Sequence, residues 1–288
     1  MQPSPVIEAS KQLNWPEVDV AIRSLDEFRA FLEANREVLL NEKAHEELGH
    51  QIRQTGCREP LTGREIAPFE MSNDGGLREG LAFNAISSRV RAVMLCMEDV
   101  INRQQLASPR IYAAEGLTAF AMRMRGLYPR FLGSEFTFDQ VRKEWMYPIP
   151  LEDLQNLSLP DGAFDIVSTN EVLEHVPSID SALEEIARVL RPGGWHIGTV
   201  PFYYFYEKGE RRAILDGYGD IVHLLEPQYH GDPMNEGGVL VFEIPAWDII
   251  ERAHRAGFKD AFMRFVVSAR HGAAAEHIGG ILVLCCEK

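Results

Sequence analysis

Long apolar runs are missing from this 288-residue chain. The longest near its end, Ile281-Leu-Val-Leu-Cys-Cys286, has the length of a buried strand. A membrane-spanning helix needs roughly 20 such residues, so no membrane partner is expected. Basic charge is also scarce: 29 Lys and Arg stand against 43 Asp and Glu, a net charge of −14. Phosphate contacts need clustered Lys and Arg, so no nucleic-acid partner is expected either. Only four cysteines occur, Cys57, Cys96, Cys285 and Cys286, and none has C-x-x-C spacing. They read as buried thiols in a reducing cytoplasm, without a metal or redox site. The N-terminal Met1-Gln-Pro-Ser-Pro lacks the basic-then-apolar order of a signal peptide, in keeping with a cytoplasmic protein. What is left is ordinary globular composition, 45% hydrophobic and 25% charged, enough for one large domain or two small ones. A homodimer remains open.

The texture of the chain changes near residue 108. Residues 1–107 read as a mainly helical extension. In it, Ser24-Leu-Asp-Glu27 has capping-box spacing, and Ile86 to Gln105 places Val90, Val93, Met94, Met97 and Ile101 on one helical face. Positions 56–78 are rich in turn formers. Arg89 and Arg91, near the start of the Ile86 to Gln105 helix, read as solvated or paired with acids, with a substrate-facing role as the alternative.

From 108 to 288, short apolar runs alternate with helical segments. Ile111-Tyr-Ala-Ala114, Arg130-Phe-Leu-Gly133, Phe164-Asp-Ile-Val-Ser168 and Trp195 to Val200 read as strands, and Ser178 to Leu190 as a helix stopped by Arg191-Pro-Gly-Gly194. Phe262 to Val267 and Gly280 to Cys286 read as a closing antiparallel hairpin. That rhythm predicts an α/β fold, a mostly parallel sheet with helices on both faces. A loop-rich insertion, about 201–245, interrupts it with many aromatics and histidines, the texture of a lid or binding element.

In such a sheet, ligands bind beyond the carboxyl ends of the strands. Four loops lie there: Glu115-Gly-Leu-Thr118, Gly133-Ser-Glu135, Leu151-Glu-Asp-Leu154, and Thr169-Asn-Glu-Val-Leu-Glu-His175. An acid at the end of a second strand, about 20 residues on, is placed to accept both hydroxyls of a ribose.

Leu159-Pro-Asp-Gly-Ala-Phe-Asp-Ile-Val167, Val172-Leu-Glu-His-Val-Pro177 and Leu183 to Gly194 together resemble the class I S-adenosylmethionine-dependent methyltransferases, and within them the small-molecule type 11 branch. The likeness spans roughly residues 108–200. It implies a Rossmann-like, seven-stranded mixed sheet and methyl transfer from S-adenosyl-L-methionine to a small-molecule acceptor, with S-adenosyl-L-homocysteine as product. It also implies site residues: Glu135 on the cofactor ribose, Asp153 and Leu154 on the adenine, and Asn170 beside the methionine moiety. The first loop departs from the family, keeping only Gly116 where several glycines are expected. Glu115 and Thr118 would then supply side chains to the ammonium and carboxylate. A non-catalytic, cofactor-binding subunit of the same fold is the alternative that this departure leaves open.

Acceptor-side candidates lie in the insertion and after the fourth strand. In Tyr229-His-Gly-Asp-Pro233, His230 is placed to deprotonate a hydroxyl with Asp232 orienting it, or the segment is an Asx-type turn. His175 is a second candidate base. Asp165 and Arg188 read as structural.

Overall fold

The computed structural model describes residues 17–72, 75–137, 139–232 and 235–288. The chain divides into two compact units, one running to Gln105 and taking up Met263–Val283, the other Leu106–Phe262 with Leu284–Lys288.

Seven strands form the main sheet: β1 (Val18–Ile22), β2 (Ile111–Ala113), β3 (Phe131–Gly133), β4 (Phe164–Asn170), β5 (Leu190–Thr199), β6 (Asp260–Val267) and β7 (Ile281–Glu287). Their order is β3-β2-β4-β5-β7-β6-β1. β2 pairs in parallel with β3 and β4, and β4 with β5. β7 runs antiparallel to β5, and β1 antiparallel to β6. The expected mixed sheet is thus present, with one difference in membership. Beyond β3, a further parallel strand is reduced to a single bridge, Glu135↔Leu151. The seventh place goes to Val18–Ile22, a segment expected to be helical. Its alternation of Val18, Val20 and Ile22 is the period-two signal of a strand.

Helices α1 (Leu25–Ala34), α2 (Glu42–Thr55) and α3 (Ser88–Arg103) follow β1, while α4 (Ala119–Leu127) links β2 to β3 and α5 (Ile179–Val189) links β4 to β5. The chain leaves β2 for β3 on one side and returns to β4 on the other, so the strand order reverses at β2. That reversal opens a crevice beyond the carboxyl ends of β2 and β4. β4 is buried along its whole length, as a parallel strand covered on both faces is, although only Phe164, Ile166 and Val167 of its seven residues are apolar. Among the described residues no helix is long and apolar enough to cross a membrane.

In the first unit, Phe28, Leu48, Ile52, Val93, Met97 and Phe265 are sealed from solvent. Arg91 is buried among them, against the expectation of a solvated or acid-paired side chain. Its guanidinium donates to the carbonyls of Ile86, His271 and Gly272, so backbone dipoles replace the missing counter-ion. Arg89 does pair with an acid, Glu79, at 2.7 Å.

At the entrance to β4, Asp165 accepts from the Arg110 backbone at 2.8 Å and from both the Arg110 and Arg191 guanidiniums. Burial works to raise its pKa, but these bonds win and hold it at about 2. Arg188 is structural too: it pairs with Glu185 and Asp161 and donates to the carbonyls of Leu157 and Leu159. The insertion is more regular than its loop-forming composition suggests. Short antiparallel pairs join Ala213–Leu215 to Ile221–His223, Tyr229–Asp232 to Asn235–Leu240, and Glu210–Arg211 to Glu243–Ile244.

Candidate cofactor and acceptor site

The loops after β2, β3 and β4 converge. Gly116 donates its backbone N–H to Ser134 O at 2.8 Å, and Ser134 donates to Ala113 O at 3.1 Å. A Cβ on Gly116 would lie 3.0 Å from the Gly133 carbonyl carbon, and one on Gly133 would lie 2.9 Å from the Gly116 Cα. The glycine kept in the first loop therefore lets two backbones touch. Glu135 accepts from Leu117 N–H at 2.8 Å, which fixes its carboxylate beside the first loop.

Glu115 is buried and receives the Asn170 amide, a short contact, and the Thr118 hydroxyl at 3.0 Å. Thr118 also caps α4 by accepting from Ala121 N–H at 3.2 Å. Its hydrogen and a lone pair are both engaged, so Thr118 holds Glu115 and the helix start in place. Asn170, 7% exposed, carries a buried Oδ1 with no hydrogen-bond partner among the described residues. An orphaned acceptor beside a buried carboxylate suits a cationic ammonium group.

Asp153 accepts from the backbone and side-chain amides of Gln155, at 2.9 and 3.2 Å, and Leu154 is 4% exposed beside it. The chain from Glu135 to this loop is tied by Glu135 N–H to Pro150 O at 2.9 Å and Glu152 N–H to Glu135 O at 3.0 Å. Leu117 also lines a cavity of about 520 Å³ with Arg142, Trp145, Tyr147 and Ile149. The strongly exposed Trp145 and Tyr147 there carried no signal in the short-range pattern.

On the other side of β4, the turn Leu173–His175 brings a second group together. Glu174 is completely buried, and among the described residues neither carboxylate oxygen has a hydrogen-bond partner. His175 Nε2 and His230 Nδ1 each stand 3.5 Å from its Oε1. The Glu174 carboxylate lifts the His230 pKa above its ordinary value against partial burial, with Glu171 adding. His175 Nδ1 is bonded to Leu240 O at 2.9 Å. His230 therefore meets Glu174, a residue that sequence spacing did not connect to it. Asp232 pairs through its backbone with Asn235 in the short hairpin; its side chain lies outside the described structure. His223 is exposed on the hairpin edge. Thus Glu115, Gly116, Thr118, Glu135 and Asn170 gather at one place, Asp153 and Leu154 follow from the neighbouring loop, and His175 and His230 gather around Glu174.

Comparison with known proteins gives matches over part of the chain. A family model described as "Methyltransferase domain" matches residues 130–198. The chain is similar to an arsenite methyltransferase of Aquipseudomonas alcaligenes, 48% identical over 44 residues, which cover 15% of this chain and 13% of that protein. It is also similar to a ubiquinone/menaquinone biosynthesis C-methyltransferase of Chromobacterium violaceum, 39% identical over 69 residues, covering 20% and 28%. The chain thus spans well under a third of the length of these curated relatives. Among solved structures, an S-adenosylmethionine-dependent methyltransferase of Mesorhizobium loti is similar at 16% identity and a TM-score of 0.41, covering 70% of this chain and 98% of that one.

Proposed function

We propose that this protein, which carries a methyltransferase domain of the class I, S-adenosylmethionine-dependent fold, transfers a methyl group from S-adenosylmethionine to an oxygen or nitrogen of a small-molecule metabolite. The observation that carries this reading is the pairing of Glu115 with Asn170 at the strand-order reversal, where Asn170 Oδ1 is buried and has no partner among the described residues. When bound, the cofactor supplies a methyl group already activated by positive sulfur. The chain's own residues then have to hold, orient and keep water away.

Glu135 would hold the ribose hydroxyls. Its carboxylate is already aimed by Leu117 N–H, so little ordering is left to be done on binding. Glu115 and Asn170 Oδ1 would receive the ammonium. Thr118 acts through Glu115 and through the first turn of α4. Asp153 would accept from the adenine amino group, with Leu154 against the ring. Gly116 and Gly133 keep the first loop close enough to the second for Glu135 and Glu115 to serve one ligand.

A hydroxyl acceptor must lose a proton as its oxygen attacks in line; an amine can lose it later. His230 and His175, facing Glu174, are the candidate acceptor-side groups, with Asp232 a third in the same hairpin. The test is incubation of the purified full chain with S-adenosylmethionine and panels of hydroxyl- and amine-bearing metabolites. S-adenosylhomocysteine formed in equal amount with a methylated product is the expected result. A chain that binds the cofactor and never forms S-adenosylhomocysteine would instead be a non-catalytic holder of it.

A further inference from the structure

We infer that Glu174, His175 and His230 form a binding site for one divalent transition metal of the zinc class, an inference that does not depend on methyl transfer. Three donors converge here from two stretches of chain. Glu174 and His175 share the turn after β4, and His230 comes from the insertion hairpin. Their ligating atoms all lie within 4.8 Å of one another.

The distances favour a metal over a hydrogen-bonded pair. A charge-assisted hydrogen bond from imidazole to carboxylate closes to about 2.8 Å. Both imidazole nitrogens instead stand at 3.5 Å from the same oxygen, Glu174 Oε1. Ligand bonds of about 2.0–2.1 Å at tetrahedral angles place neighbouring ligand atoms about 3.3 Å apart. The two imidazole–carboxylate spacings are close to that.

The carboxylate itself points the same way. Glu174 has no accessible surface, and among the described residues neither oxygen has a donor at hydrogen-bond distance. A buried ionised carboxylate faced by two imidazoles at 3.5 Å, with no donor at hydrogen-bond distance among the described residues, is costly, and such a group calls for an unseen water or ion. Nearby arginines do not serve it. Arg211 and Arg252 pair with Glu243, although Phe242 N–H, one residue before Glu243, donates to the Glu174 carbonyl. The neighbourhood thus neutralises one buried glutamate with two guanidiniums and leaves the other to the histidines.

The ring nitrogens are prepared for ligation. His175 Nδ1 lies 2.9 Å from the Leu240 carbonyl, which can only accept, so that nitrogen carries the hydrogen and Nε2 presents its lone pair to Glu174. This is the backbone-carbonyl support that ligating histidines commonly have. His230 Nε2 lies 3.1 Å from Gln228 Nε2, one of the two ends of an amide whose oxygen and nitrogen are assigned from the hydrogen-bond network. Turned oxygen-first, that amide takes the Nε2 hydrogen and frees Nδ1 as the ligand. The rings stand nearly perpendicular, 85° apart, with centroids 5.4 Å apart, so they do not stack over the gap. His175 and His230 side chains keep 15% and 28% exposure, which gives an ion a route in. Three protein ligands leave one coordination position open, as catalytic zinc sites do, for an oxygen, nitrogen or sulfur of a small molecule.

The experiment is equilibrium dialysis of the full chain against Zn²⁺, with metal counted per chain, and a parallel titration with Co²⁺ read by its visible absorption. One metal per chain and the intense visible band of four-coordinate Co²⁺ are expected. His230→Ala, at the most exposed of the three positions, should weaken binding more than about a hundredfold, beyond the loss seen when only a supporting residue is removed. Glu174→Gln should do the same, while His50→Ala, in the other unit, leaves binding unchanged. No bound metal, or equal binding by the parent chain, His230→Ala and Glu174→Gln, overturns the inference. S-adenosylmethionine binding measured on the same samples separates failure of this site from failure of the methyl-transfer reading.

Discussion

The two ends of one strand handle buried acid in opposite ways. Asp165 enters β4 with a backbone N–H and two guanidiniums on it, and these hold its pKa at about 2 against the opposing effect of burial. Glu174, just past the other end, is more deeply buried and is faced by two imidazoles at 3.5 Å, with no donor at hydrogen-bond distance among the described residues. Asn170, between them at the strand's exit, likewise keeps an oxygen with no partner among the described residues. The entrance of the strand is finished by the protein itself, while its exit offers groups that a ligand completes. That division follows the rule that α/β sheets bind ligands beyond their carboxyl ends.

The contrast can be broken first at its structural end. Asp165→Asn strands two arginines around a neutral amide and should cost about 3 kcal/mol in urea unfolding, as loss of one partner of a buried pair does. Cofactor affinity should be unchanged in the folded variant; if affinity falls and stability does not, the assignment of the two ends is reversed. The same residue predicts an acid limit. Its folded pKa lies below its unfolded value near 3.8, so its contribution is present above about pH 4 and is lost as pH falls toward 2. That contribution is about 2 kcal/mol, checked by comparing the pH dependence of unfolding with and without Asp165→Asn.

At the exit end, Glu135→Ala removes a charged acceptor from the ribose position. Equilibrium dialysis should find S-adenosylmethionine bound more weakly by about tenfold or more, with the unfolding midpoint little changed. The smallest expected effect is on stability in Glu174→Gln without metal. An amide replaces a carboxylate that has no donor at hydrogen-bond distance, so metal-free unfolding should stay within about 1 kcal/mol of the parent chain, well below the cost at Asp165. Equal losses at the two sites would mean that Glu174 is a structural partner after all.

Much of the fold around β4 was legible in the sequence because its signals are local. Phe164 to Ser168 reads as a strand, Ser178 caps the following helix by accepting from Ser181 N–H, and Glu135 sits one loop from the segment it joins. Distant pairings were not legible. Val18–Ile22 joins β6, some 240 residues away, and five alternating residues beside a longer amphipathic helix gave too short a signal. His230 was matched to Asp232 because they are neighbours in sequence, whereas the fold brings it to Glu174. Gly116 was judged by how few glycines surround it; its contact with Gly133 depends on two loops closing together. Arg91 was judged by its charge, and only the fold reveals the three carbonyls that accept from it.

The central claim is that the loops after β2, β3 and β4 bind the nucleoside and methionine ends of S-adenosylmethionine. Calorimetric titration of S-adenosylmethionine into the full chain tests it most directly. The account predicts saturable binding at one site per chain, with S-adenosylhomocysteine competing for it. No binding at millimolar cofactor would contradict it.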